Sequence, residues 1–218
     1  MGFGLSRSGW LKGAGVSRTI RQDPGYYIAL GIGAMAGAIL FGSANMHLAG
    51  LWPLGHSIAG AIAGGIVAVE GYKFARGIRG STGLMFVAPL ALGIAVGRLG
   101  CFFAGLPDYT YGIATNLPWA DDFGDGIPRH PVQLYESAAM AGFLAVFLWG
   151  AWRRKPLFLR HGFYIFTGWY GIQRFVWEFF KPYPTLIGPF NIFHLVCAGL
   201  VLYSVFMIGR NDDIRTPV

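Results

Sequence analysis

Residues 82–105 read TGLMFVAPLALGIAVGRLGCFFAG, an apolar run of more than twenty residues interrupted by a single charge, Arg98. About 20 mostly apolar residues cross the roughly 30 Å hydrocarbon core of a bilayer at about 1.5 Å per residue. The run is therefore long enough to span a membrane. Five more stretches have the same character: 26–46, 56–75, 131–152, 162–180 and 190–209. The composition agrees: 54% hydrophobic against 12% charged over 218 residues, with 34 glycines and a mean hydropathy of +0.49. The chain reads as an all-α integral membrane protein with six transmembrane helices. No small-residue cleavage site follows the first run, so all six are expected to be retained.

Lysine and arginine set the orientation, because loops on the cytoplasmic side carry the excess. Arg7, Lys12, Arg18 and Arg21 precede the first run, and Lys73, Arg76 and Arg79 follow the second. Arg153, Arg154, Lys155 and Arg160 follow the fourth, and Arg210 and Arg215 the last. The other side keeps Arg129 and Lys181. Both termini are expected in the cytoplasm, with residues 1–25 forming an arm, 26–209 the transmembrane domain and 210–218 a tail. The basic residues form no single tract, which argues against nucleic acid as a partner. Two cysteines, Cys101 and Cys197, both in apolar surroundings, provide neither a disulfide framework nor a CxxC metal site.

The same topology puts residues 47–55, 104–130 and 181–189 outside. The middle segment is the only long loop. It is rich in proline and glycine, and with Asp108, Asp121, Asp122 and Asp125 it reads as a folded cap between helices three and four. These aspartates lack the twelve-residue calcium pattern, and no metal is expected.

Three segments far apart in sequence carry charge to one depth near the outer surface. Arg98 lies about 7 Å inside the end of its run. A charge in hydrocarbon costs about 2.5–3.5 kcal/mol at the centre and less near the ends, so it needs a partner or a route to the headgroups. Residues 171–182, GIQRFVWEFFKP, place Arg174, Glu178 and Lys181 at i, i+4 and i+7 on one helix face. Residues 129–136, RHPVQLYE, bring Arg129, His130, Gln133 and Glu136 to the entry of the fourth run, and His56 opens the second. Several guanidinium groups at headgroup level suit a phosphate, whose oxygens the planar fork binds in pairs. Phospholipid is the phosphate abundant there. His194 and Cys197 on the last run are expected to pack.

The segments GRLGCFFAG with the later Gly112, then PRHPVQLYE, then RFVWEFFKP resemble the signatures of the prolipoprotein diacylglyceryl transferase family, in that order and at those helix ends. The resemblance covers roughly residues 50–209. It implies an enzyme of the bacterial plasma (inner) membrane that works at the outer leaflet. The diacylglyceryl group of phosphatidylglycerol would move to the lipobox cysteine thiol of a preprolipoprotein signal peptide, glycerol 1-phosphate would leave, and no cofactor would be used. Carried over by motif, Arg98 and Arg174 stabilise the departing phosphate and Glu178 partners Arg174. Gly97, Gly112, Arg129, Gln133, Tyr135, Glu136 and Lys181 contact the substrate. A thiol attacks only as thiolate, so a base is required. The candidates are His130, His56 and Glu136, in that order.

The chain departs from the family pattern at Cys101, where asparagine is usual, at the added residues LPDYT, and at LGHSIAGAIAG in place of a His-Gly-Gly-Leu segment. It also has six runs where the family usually has seven, which fits the cytoplasmic N-terminus. Two other readings stay open: a paralogue with the same lipid donor and another acceptor, and a non-catalytic protein binding anionic phospholipid.

Overall fold

The computed structural model describes residues 23–52 and 54–210. Nearly all of the expected arm, and the expected tail apart from Arg210, lie outside them. Among the described residues six long helices follow one another: α1 (Pro24–Leu48), α2 (Ile58–Ala75), α3 (Leu84–Ala104), α4 (Val132–Trp152), α5 (Pro156–Glu178) and α6 (Ile192–Arg210). Five of them, all but α5, are long and apolar enough to cross a membrane. Large apolar side chains such as Ile32, Val67, Val96, Leu148 and Leu202 are exposed. Such a surface fits a multi-pass membrane protein, in which lipid rather than water solvates the outside.

The helix starts follow from local chemistry. Pro24 occupies the first turn of α1, and the Asp23 side chain accepts from Gly25 N (3.0 Å) and from the Tyr72 hydroxyl (2.6 Å). Ser57 caps α2 through Gly60 N (3.2 Å). Helix α5 begins six residues before its expected start, at Pro156, so Arg160 and His161 lie within it. A proline at the first position, with Lys155 as cap, outweighs two polar residues as a helix signal.

Helix α1 packs closely on α2 through glycines. A Cβ on Gly37 would meet the carbonyl oxygen of Gly60, and one on Gly60 that of Gly37, so the backbones touch where side chains would keep them apart. This hairpin meets the other helices mainly through α6, and α2 hardly touches α3. The gap between α2 and α3 is an apolar cavity of about 440 Å³ that reaches from Ile58 to Glu70 along α2 and from Ile94 to Thr82 along α3. Twelve residues of α2 correspond to about 18 Å.

Helices α3 to α6 form the remaining body, with α5 packed on α3, α4 and α6. Ser137 Oγ donates to Ala95 O (2.7 Å) between α4 and α3, and Ser204 Oγ to Tyr164 O (2.7 Å) between α6 and α5. Between α3 and α4 the chain forms a short 3₁₀ turn (Leu106–Asp108) and a two-residue antiparallel ladder, β1 (Asp121–Asp122) with β2 (Pro128–Arg129). Further backbone bonds fold this segment: Gly112 N to His130 O (3.1 Å), Thr115 N to Pro128 O (3.0 Å) and Ile113 N to Phe180 O (2.7 Å). The last of these anchors it beside the end of α5.

Candidate active site

Three chain segments deliver charge to one buried point. Glu136, one turn into α4, is the hub. Its Oε2 lies 2.5 Å from Arg98 Nε, from the last turns of α3, and its Oε1 takes Lys181 Nζ at 2.7 Å. The same Oε1 also takes Arg174 Nη1 from the end of α5. Arg174 Nη2 reaches Glu178 Oε1 at 2.6 Å, one helical turn on, and Lys181 Nζ stands 3.6 Å from that oxygen. All five side chains are buried. Three cations face two carboxylates, so one positive charge is left over. Where buried charges are otherwise paired, that surplus defines a place for an anion.

The rest of the cluster holds it in register. Asn191 caps α6 through Oδ1, which accepts from Phe193 N (2.9 Å) and His194 N (3.1 Å), and its Nδ2 donates to Glu178 Oε2 (3.1 Å). One residue thus starts α6 and ties α5 to it. His194 Nδ1 accepts from Asn191 N (3.1 Å), and its ring packs against Phe179 with centroids 4.3 Å apart. The Arg174 guanidinium lies 5.7 Å from the Phe193 ring centroid, and Lys181 Nζ 5.7 Å from that of Tyr183.

Several buried polar atoms here have no hydrogen-bond partner among the described residues: both amide atoms of Gln133, Arg174 Nε and the Tyr170 hydroxyl. Buried polar groups are normally satisfied, so such atoms mark places for ligand oxygens. Arg98 Nη1 makes only one weak contact, to Cys101 Sγ at 4.0 Å. Outside the helices, burial and the adjacent Arg174 push the Lys181 ammonium down to about 8.

The structure brings Arg98, Arg174, Glu178, Glu136 and Lys181 into direct contact and places Gln133, fully buried, one turn from Glu136. Other candidates lie apart. Arg129 is bound by the Asp125 carboxylate (2.6 and 2.7 Å) and stacks on Tyr111, which leaves it in the loop. Its hydrogen bonds hold the exposed Asp125 carboxyl below the usual carboxylate range. Asp122 Oδ1 accepts from Gly124, Asp125 and Gly126 N, so these aspartates serve the turn.

His130 packs on the side chains of Tyr135 and Phe180. Its Nδ1 is 3.4 Å from the Tyr135 hydroxyl and its ring 5.0 Å from Phe180, so its neighbours adjoin Glu136 and Lys181 in sequence. Trp119 Nε1 donates to the same Tyr135 hydroxyl (2.8 Å). Gly112 lies against His130 with no room for a Cβ, whereas Gly97 faces open space on α3. His56 is exposed before α2 and touches none of the five charged residues. Asn191, Tyr170 and Tyr183 escape a sequence reading. Asn191 was detectable only as a cap residue before the last apolar run.

The family model described as prolipoprotein diacylglyceryl transferase matches residues 15–210. Among curated relatives, a phosphatidylglycerol–prolipoprotein diacylglyceryl transferase of Bordetella parapertussis is 34% identical over 212 residues, covering 91% of this chain and 77% of its own. That of Vibrio vulnificus is 34% identical over 84% of this chain and 69% of its own, and that of Geobacter sulfurreducens 31% over 95% and 82%. No solved structure matches.

Proposed function

The chain belongs to the prolipoprotein diacylglyceryl transferase family, and on that premise we infer that it moves the diacylglyceryl group of phosphatidylglycerol to the cysteine thiol of a prolipoprotein. The observation that carries this reading is the surplus cation of the Glu136 cluster, set among buried polar atoms without partners.

The phosphate of the donor takes the uncompensated charge. Arg98 and Arg174 donate to its oxygens, while Glu136 and Glu178 hold both guanidinium groups in place. The acyl chains enter the apolar gap between α2 and α3, whose near end at Ile94 is one helical turn from Arg98. Its length of about 18 Å matches one leaflet, about half of a 30 Å core. The acceptor thiolate attacks the glyceryl carbon of the phosphate ester. A carbon–sulfur bond forms as the carbon–oxygen bond breaks, and the electron pair leaves on the phosphate of glycerol 1-phosphate. The negative charge that grows on that oxygen is what two fixed guanidinium groups stabilise.

The thiol proton goes to a base. His130, half-buried and in contact with the Tyr135 hydroxyl on the residue next to Glu136, suits this better than the exposed His56. Glu136 already binds three cations and acts as a positioning residue. Gln133 and Lys181 complete the donor pocket. Gly97, Gly112, Tyr135 and Arg129 shape its surroundings. The acceptor is the lipobox cysteine of a preprolipoprotein signal peptide, arriving from the outer leaflet of the bacterial inner membrane. In this arrangement all six helices span the bilayer, both termini are cytoplasmic and the folded segment 104–130 caps the outer face.

The test is a donor-release assay with purified protein in phosphatidylglycerol vesicles and a lipobox peptide, following glycerol phosphate. Release that requires the peptide thiol and disappears in Arg98→Ala and Arg174→Ala is expected. Release that survives both substitutions would remove the cluster from the reaction. Arginine-dependent lipid binding without release would leave another acceptor or a binding protein.

A further inference from the structure

Three side chains outside the ion-pair cluster meet at one hydroxyl. Tyr135, in the first turn of α4, accepts from the indole Nε1 of Trp119 at 2.8 Å and lies 3.4 Å from Nδ1 of His130. Trp119 comes from the segment between α3 and α4 and is 57% exposed, while Tyr135 and His130 are half-buried. Residue 130 is held by its backbone: its N donates to Ile113 O (3.1 Å), and its O accepts from Gly112 N (3.1 Å) and Val132 N (2.9 Å). The Tyr135 ring rests on Trp177, with centroids 5.2 Å apart, and the His130 ring on Phe180.

Donor and acceptor chemistry decides where the protons lie. An indole nitrogen only donates, a phenol hydroxyl both donates and accepts, and a neutral imidazole has one nitrogen of each kind. With Trp119 donating to Tyr135 Oη, the arrangement that leaves no hydrogen idle has Tyr135 donate to His130 Nδ1. Neutral His130 then carries its proton on Nε2, and the nitrogen able to take another is Nδ1, behind the Tyr135 hydroxyl. The charged groups on the neighbouring segments are engaged with one another, Arg129 with Asp125 and Glu136 with Lys181.

Resting on the transferase reading with His130 as base, we propose that Tyr135 is a catalytic residue, the relay between the acceptor thiol and His130, and that Trp119 is the positioning residue that aims it. The thiol gives its proton to Tyr135 Oη as the Tyr135 hydroxyl passes its own to His130 Nδ1. Sulfur bonds to the glyceryl carbon, the carbon–oxygen bond breaks, and its electron pair leaves on the phosphate of glycerol 1-phosphate. Tyr135 ends the step neutral and His130 ends it as imidazolium, which returns the proton to water after release. The bond between Trp119 and Tyr135 is exposed, so the hydroxyl lies within reach of a peptide at the protein surface.

The test is the donor-release assay on full-length wild type, Tyr135→Phe and Trp119→Phe, at saturating phosphatidylglycerol and lipobox peptide. Without the relay, only peptide that is already ionised reacts. For a cysteine thiol titrating near 8.5, Tyr135→Phe should lose about 30-fold in kcat at about pH 7, about fourfold at about pH 8 and about twofold at about pH 8.5, with KM for phosphatidylglycerol unchanged. Trp119→Phe, which keeps a ring but not the donor, should show a smaller deficit that shrinks in the same way. Nitrogen NMR of wild type should find neutral His130 protonated on Nε2. Neutral His130 protonated on Nδ1, an undiminished rate in Tyr135→Phe, or a deficit equal at every pH, as damaged packing would give, overturns the relay alone. Wild-type protein that releases nothing with the thiol peptide overturns the transferase reading, and the relay with it.

Discussion

Replacing Glu136 by glutamine keeps the size of the hub and one acceptor oxygen but removes its charge. Arg98, Arg174 and Lys181 then share one carboxylate, Glu178, and the surplus at the site doubles from one positive charge to two. Breaking a buried ion pair by removing one partner costs about 3–5 kcal/mol, because the survivor keeps its desolvation penalty. Here three survivors share the loss, so the upper part of that range applies. For a chain of this size each kcal/mol shifts Tm by roughly 2–4 °C, so at about 4–5 kcal/mol Glu136→Gln should unfold about 8–20 °C earlier in zwitterionic detergent. The assay is thermal unfolding with and without added phosphatidylglycerol. The lipid should stabilise the variant more than the wild type, since a bound anion replaces the missing charge. A drop smaller than about 2 °C, or an equal lipid effect in both proteins, would refute the account of Glu136 as the group that balances the cluster.

Three further outcomes follow from the geometry. Lys181, pushed down to about 8, should lose its charge as pH rises through 8, so phosphatidylglycerol binding weakens between pH 7 and 9. The unfolded chain binds that proton more tightly, up to the ordinary lysine range. The group's contribution to stability therefore rises with pH over the same window, opposite in sign to binding. Lys181→Arg should flatten the binding profile, read by titration of the lipid. Gln133→Leu removes two unpartnered buried amide atoms. Without lipid it should melt at or above the wild-type temperature, while lipid affinity falls about tenfold, as expected for roughly one lost hydrogen bond. Gly60→Val should force α1 from α2 and cost about 1–3 kcal/mol or more in the same unfolding assay, whereas Gly31→Ala, open at its Cβ, should be neutral.

The apolar runs made five helices legible to within a few residues, because length and hydropathy are properties of the chain alone. Helix α5 was less so: its first turns carry Arg160 and His161, and only its packing on three neighbours explains why they are helical. Nearness to one set of helix ends could be read too, which is why Arg98, Glu136, Arg174, Glu178 and Lys181 were grouped, though together with Arg129, His130 and Gln133. Direction around the helix axis could not be read between segments. Arg129 is held by Asp125 in the loop, and His56 is exposed. Asn191 gave only the weak signal of a cap residue, since its bond to Glu178 reaches back 13 residues to the preceding helix, and Tyr170, inside an aromatic-rich run, gave none.

Helix α5 has a consequence for how the protein is made. Alone among the six helices it falls short of the apolar content needed to cross a membrane, and it carries Arg174 and Glu178. A charge at the centre of an isolated helix costs about 2.5–3.5 kcal/mol to insert. In the proposed six-span arrangement its entry into the bilayer depends on helices already in place, α4 above all, because α4 brings Glu136. Biogenesis and site assembly become one event: a chain unable to form the ion-pair hub would leave α5 stranded at the insertion machinery, where quality-control proteolysis can remove it before it ever meets a lipid.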